Sequence, residues 1–188
     1  MAKAIILGSD RGIRRIDSSQ SYPLALVSDN TGHRVLDWIL DSLNKVSLKD
    51  IVFVGGYHIE KMVQLYPWMR FYYNPDWKQS GELQALSHAS AELTESCIIV
   101  RSDVVFRSDA ISSLLDVDAD IVIATHNSSI VTDASVEGSF AGIVSLSDRA
   151  SSQLQSSIQE LSWDAAMASS NDLVGLLVSF GLATEYVN

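Results

Sequence analysis

AIILGSDRGIRRIDSSQSYPLALV, residues 4–27, sets the fold class. It opens with four apolar residues in a row and then empties into a segment holding Gly8, Gly12, Arg11, Arg14 and Arg15. Unbroken apolarity over strand length marks a strand buried on both faces, as in parallel sheets. Four more runs have this character: IVFV (51–54), FYY (71–73), CIIV (97–100) and IVIA (121–124). Helix-length segments lie between them. VLDWILDSL (35–43) puts Val35, Leu36, Ile39, Leu40 and Leu43 on one stripe, and residues 58–65, 82–93 and 109–115 also fit helices. This alternation predicts an open α/β sheet with helices on both faces. After about residue 128 the rhythm changes. SIVTDA (129–134) and VEGSFAGIVSLS (136–147) read as strands of a hairpin-like excursion. Residues 147–161 and 171–181 read as helices, the second capped by Ser170 or Asn171 and stopped by Gly181. ATEYV (183–187) reads as a last strand.

Composition bounds the function classes. The 188 residues suit a single domain over 1–188 that buries a sizeable core. No apolar run approaches the roughly 20 residues that span a bilayer. The N-terminus lacks the form of a signal peptide, so no membrane is expected and the cytoplasm is the expected compartment. The one cysteine, Cys97, lies within CIIV and reads as a buried strand residue. A formal net charge of −10 argues against a nucleic-acid partner, which needs a basic face. It leaves room for a small phosphorylated ligand, because the arginines at 11, 14 and 15 reverse the sign locally.

Ligands of such sheets bind beyond the carboxyl ends of the strands. Three stretches fall there: GSDRGIRR (8–15), GGYHIE (55–60) and RSDVVF (101–106). Glycines let backbone N–H groups approach phosphate oxygens, and arginines add charge-assisted bonds. The spacing matches neither the dinucleotide fingerprint nor a P-loop. Asp103 at a strand exit suits either Mg²⁺ or a cap. Ser80-Gly81 ahead of Glu82 suits either close approach to a ligand or plain helix capping. Tyr72, Tyr73 and Trp77 fit core packing, or the lining of an acceptor pocket that would suit a quaternary ammonium group. His33, His58, His88 and His126 show no metal-ligand spacing.

In this order the stretches resemble the nucleotidyltransferases of the sugar-phosphate and choline-phosphate type, including the cytidylyltransferases that act on phosphonates. Leu7-Gly8-Ser9-Asp10-Arg11-Gly12-Ile13-Arg14 is similar to that family's L-A-A-G-x-G-x-R loop, and Pro23–Val27 to its P-K-x-L-V element. NPDWKQSGELQAL (74–86) is similar to its N-P-x-[WY] segment, CIIVRSDVVF (97–106) to the strand ending in a metal-binding aspartate, and EGSFAGIVSLS (137–147) to a strand near the acceptor. The resemblance covers Ala4 to about Val187.

It implies a Rossmann-like three-layer sandwich on a mostly parallel mixed sheet, of the nucleotide-diphospho-sugar transferase type. It also implies transfer of an NMP, with CTP the favoured donor, to a small phosphorylated or phosphonate acceptor with release of pyrophosphate. By the same resemblance Arg14 and Arg11 are catalytic, Leu7, Gly8, Ser9, Gly12, Ser80, Gly81 and Glu82 bind the nucleotide, and Asp103 binds Mg²⁺. Tyr57, Trp77, Phe140 and Gly142 face the acceptor.

Three features depart from the family's pattern. Leu24 stands where the family has a lysine, and Asp10 where it has the first loop glycine. The second metal aspartate is expected beyond the last strand, and Asn188 comes first. The oligomeric state stays open, as does whether the polypeptide continues past Asn188. A domain that binds a nucleotide, a nucleotide-sugar or a protein partner without turnover is therefore the alternative to a transferase.

Overall fold

The computed structural model describes residues 2–8, 22–78, 80–126, 140–161 and 173–187. Seven strands form one sheet: β1 (Lys3–Gly8), β2 (Ile51–Gly55), β3 (Arg70–Tyr73), β4 (Cys97–Arg101), β5 (Ile121–Thr125), β6 (Phe140–Leu146) and β7 (Thr184–Val187). Their spatial order is β3-β2-β1-β4-β6-β5-β7. The β1–β2, β1–β4, β2–β3 and β5–β7 pairs are parallel, whereas β6 runs antiparallel to both of its neighbours. The mixed α/β sheet expected from the sequence is thus observed. The sequence-predicted strand over 129–134 and the cap at Ser170 or Asn171 lie outside the described residues.

Alternate residues along each strand feed two cores. Ile5, Leu7, Val52 and Val54 pack against α3 (Glu82–Ser87), α5 (Asp148–Glu160) and α6 (Leu173–Ser179) through Leu86, Leu154 and Leu177. Ala4, Ile6, Phe53 and Ile98 pack against α1 (Val35–Lys45), α2 (Ile59–Leu65) and α4 (Ser108–Leu115) through Ile39, Met62 and Ile111. Each fully buried aliphatic side chain contributes about 1.5–3 kcal/mol, which is why the runs carry no polar residue on either face. Helix starts follow local chemistry. Asp37 Oδ2 accepts the Arg34 backbone N–H at 2.9 Å ahead of α1, and Ser147 Oγ accepts the Ala150 N–H at 3.2 Å at the start of α5. Cys97 lies in the core as expected, and burial pushes its thiol up to about 11.

One predicted helix is broken. Residues 82–93 form α3 and then a separate 3₁₀ turn at Ser90–Glu92. The break turns Glu92 inward, where it accepts from Lys3 Nζ at 2.9 Å, Arg70 Nη2 at 2.9 Å and the Tyr72 hydroxyl at 2.7 Å. Lys3 opens β1 and Arg70 opens β3, so one carboxylate ties two strands across the intervening β2. Burial alone would push the Glu92 carboxyl up, but the bonds from Lys3, Tyr72 and Arg70 outweigh it and hold it at about 2.

This lowered value has a pH consequence. Folding gains from the ionised carboxylate above the ordinary glutamate value of 4.5, and the gain drains away as pH falls toward about 2. Its size is on the order of 3 kcal/mol. Glu92→Gln also leaves the Lys3 ammonium buried without a counter-charge, so we expect a loss of about 3 kcal/mol at neutral pH. Urea unfolding at pH 7 and pH 3.5 checks both parts: the variant's midpoint is lower at pH 7, and its decline toward pH 3.5 is shallower than the wild type's.

Candidate functional site

The carboxyl ends of β1, β2, β3 and β4 meet along one edge. Gly8 pairs in register with Gly55, Gly55 with Tyr73, and Leu7 with Arg101. The Ser102 N–H donates to the Leu7 carbonyl at 3.0 Å, extending the β1–β4 ladder into the loop. A Cβ on Gly8 would run into the Phe53 ring, and one on Gly55 would lie 2.7 Å from the same ring. Backbone rather than side chain therefore faces the edge at both positions. Leu24, in the 3₁₀ turn Leu24–Leu26, lines a narrow crevice here with Gly8, Gly56, Tyr57 and Ser102. Ser9, Asp10, Arg11, Gly12 and Arg14 lie outside the described residues. A wider cleft of about 610 Å³, lined by Tyr22, Val27, Arg34, Lys61 and Gln64, shares no residue with this crevice.

The turn after β3 is pinned by Asn74, the first residue of the N-P-x-[WY] segment. Its side chain is fully buried. Its N–H donates to the Gly55 carbonyl at 2.8 Å, its Oδ1 accepts the Asp76 N–H at 3.0 Å, and its Nδ2 donates to Ser80 Oγ at 2.7 Å. Ser80 and Gly81 are thereby set at the edge, and Gly81 caps α3 in extended conformation. Gly56 lies directly beneath this turn: a Cβ there would collide with the Asn74 carbonyl and the Trp77 side chain. Trp77 packs on Tyr57 with ring centroids 4.9 Å apart, and Tyr57 packs on His58 at 4.3 Å. Of the other aromatic residues weighed for an acceptor pocket, Tyr72 is committed to Glu92, and Tyr73 is 58% exposed.

At the end of β4 the charges form a built cluster. Arg101 grips Asp103 with both arms of its guanidinium, Nε to Oδ1 at 3.0 Å and Nη2 to Oδ2 at 2.7 Å. Its Nε also lies 3.6 Å from Glu82 Oε1. The side chains of Glu82 and Asp103 are 21% and 18% exposed, so the two carboxylates are largely shielded from water, while the Arg101 side chain is 40% exposed. Burial pushes the Glu82 carboxyl up, Arg101 opposes that rise, and the charge on Asp103 adds to it. Gly142 on β6 lets Arg101 lie flat: it has φ +92, and a Cβ there would sit 3.1 Å from Arg101 Cδ. The fold family implies a divalent metal at Asp103. As arranged, Asp103 does not fit one, because a guanidinium already bonds both oxygens and brings a positive charge to where the ion would sit. No group of three or more metal-ligating side chains gathers among the described residues. The charge signature R-S-D at 101–103 was the only sequence trace of this pair.

The expected acceptor residues fall into two groups. Tyr57 and Trp77 stand beside Gly56, at the end of β2, while Phe140 and Gly142 belong to β6. β1 and β4 lie between these strands, so three strand spacings, about 14 Å, separate them.

A family model described as the MobA-like NTP transferase domain matches residues 4–170. The chain belongs to this family. No curated protein matches it in sequence. Among solved structures it is similar to the inositol-1-phosphate CTP transferase from T. maritima, with TM-score 0.71 and 16% identity over 99% of this chain and 84% of that one. It is also similar to HddC from Yersinia pseudotuberculosis, with TM-score 0.70 and 15% identity over 100% and 90% of the two chains. LicC, the CTP:phosphocholine cytidylyltransferase from Streptococcus pneumoniae, aligns with TM-score 0.66 and 18% identity over 100% and 90%. These likenesses confirm the nucleotide-diphospho-sugar transferase fold for this MobA-like domain.

Gly56 supplies a direct check on the site's architecture. Gly56→Ala forces Asn74 and Trp77 away from the end of β2, an overpacking that costs about 1–3 kcal/mol. We expect a lower urea midpoint together with a shifted tryptophan emission maximum. An unchanged midpoint and emission would show that Trp77 does not close on Gly56.

Proposed function

We propose that this MobA-like domain binds a nucleoside triphosphate, CTP by preference, at the carboxyl edge of β1 to β3 and transfers its NMP to a small phosphorylated or phosphonate acceptor. One observation carries the proposal. In a chain of this family, the backbone ends at Gly8 and Gly55 and the Asn74-pinned Ser80–Gly81 turn converge on one edge. In the reaction an acceptor oxygen bonds to the α-phosphorus, the bond from that phosphorus to the bridging oxygen of the β-phosphate breaks, and pyrophosphate leaves. Like charges must meet, so the protein's part is neutralisation and positioning.

The residues take the roles that the resemblance implies, with place adding support for those the structure describes. The Leu7–Gly8 backbone, Ser9 and Gly12 receive the phosphates, with Arg11 and Arg14 as the cations that gather charge in the transition state. Ser80 and Gly81 face the base, and Tyr57 and Trp77 border them on the nucleotide side. Phe140 and Gly142, beside the end of β4, face the acceptor. Support for the acceptor class comes from the phosphocholine and inositol-1-phosphate transferases among the similar folds, and from the resemblance of residues 74–86 to the cytidylyltransferase segment.

Two observations favour a second reading, nucleotide binding without turnover. Leu24, at the position of the family's lysine, presents no charge to the crevice, and Asp103 is held by Arg101. Each lost transition-state charge contact costs about 3–4 kcal/mol, or 10²–10³ in rate.

Thermal unfolding and pyrophosphate release measured with each of the four NTPs, Mg²⁺ and a panel of phosphorylated acceptors separate the readings. We expect CTP to raise the melting temperature most, and release to require an acceptor. Stabilisation without release leaves binding alone, and no stabilisation by any nucleotide overturns both. Asp10→Gly combined with Leu24→Lys restores the family's charges, and we expect at least a tenfold gain in release rate.

A further inference from the structure

The Glu82–Arg101–Asp103 cluster has a use beyond filling space, and it rests on reading this strand end as part of the nucleotide site. The two carboxylates come from different elements, one from the first turn of α3 and one from the loop after β4. They share a single guanidinium, bidentate toward Asp103 and 3.6 Å from Glu82. The arrangement is supported from the far side, because Gly142 gives up its side chain at the contact with Arg101 Cδ. A divalent cation would need a carboxylate oxygen at about 2 Å, a place now taken by an N–H donor. It would also meet the fixed positive charge within a few ångströms.

We infer that Arg101 is a resident cation that closes the acidic pair Glu82–Asp103 against divalent metal. The positive charge at this end of β4 is carried by the chain itself. Removing Arg101 exposes two neighbouring carboxylates of the kind that bind Mg²⁺ or Mn²⁺.

Mn²⁺ alone, without nucleotide, is the probe, and free Mn²⁺ is followed by its paramagnetic resonance signal during titration of the full chain. The wild type and Asp103→Asn should bind Mn²⁺ equally weakly. Arg101→Ala should bind one equivalent at least tenfold more tightly, and Arg101→Ala with Asp103→Asn should lose that gain. Circular dichroism reports whether each variant is folded. A folded Arg101→Ala that binds no tighter than wild type overturns the inference. So does a wild type that binds one equivalent at least tenfold more tightly than Asp103→Asn, a comparison that holds even if Arg101→Ala does not fold. Since no nucleotide is present, the outcome is independent of the CTP stabilisation that tests the functional reading.

Discussion

A sheet buried on both faces leaves little room for chemistry along its strands. Residues 4–7, 51–54 and 97–100 are buried without exception, so a polar group there would cost free energy with no compensating bond. Function is pushed to the rim, where strands end and backbone groups come free of the ladder. At the carboxyl rim Gly8, Gly55 and Gly56 keep the surface low, and each is needed for a contact: the first two over Phe53, the third under Trp77. The same constraint explains Glu92 near the opposite rim. Lys3 and Arg70 enter the sheet as charges; the inward-turned Glu92 carboxylate pairs with both, and Arg70 pairs with Asp50 as well, at 2.6 Å. The cost of breaking α3 is the loss of a few helical bonds, which the charge-assisted bonds at Glu92 offset.

The elements were legible where one physical rule dominated. Unbroken apolar runs marked five of the strands; burial on both faces accounts for β1, β2, β4 and β5, whereas β3 at the sheet's edge is only half-buried and Tyr73 is exposed. The stripe in 35–43 marked α1, which the structure extends to Lys45. What stayed hidden depends on neighbours distant in sequence. Nothing local says that 82–93 is interrupted, since the cause is a carboxylate reaching residues 3, 70 and 72. Strand order is also non-local. The insertion of β6 between β4 and β5 brings Phe140 and Gly142 beside the end of β4, one strand nearer to Tyr57 and Trp77 than sequential order would leave them.

The candidate site shows the same limit more sharply. Asp103 at a strand exit was visible, and so was Glu82 in a first helical turn, but each was read alone. Their relation is set by Arg101, whose side chain can lie between them because β6 brings a glycine with φ +92 against it. An arginine two residues before an aspartate is common in sequences. Here the pair forms where Gly142 leaves room beside β6 for the Arg101 side chain.

The chain's fold matches the nucleotidyltransferase pattern that residues 7–27 resemble, and its charges differ from that pattern at Asp10 and Leu24. A phosphoryl-transfer site must gather positive charge around the α-phosphorus at the moment pyrophosphate departs. With Leu24 neutral and the Asp103 carboxylate committed to Arg101, the proposed reading draws its further positive charge from the three arginines of residues 11–15. On that reading, turnover depends on whether Arg11, Arg14 and Arg15 outweigh the negative charge of Asp10, and nucleotide binding draws on Ser9 and Gly12 together with the backbone rim at Gly8, Gly55 and Asn74. Binding and catalysis, so read, share residues 8–14, but only catalysis requires the arginines there to prevail over Asp10, so binding would outlast turnover.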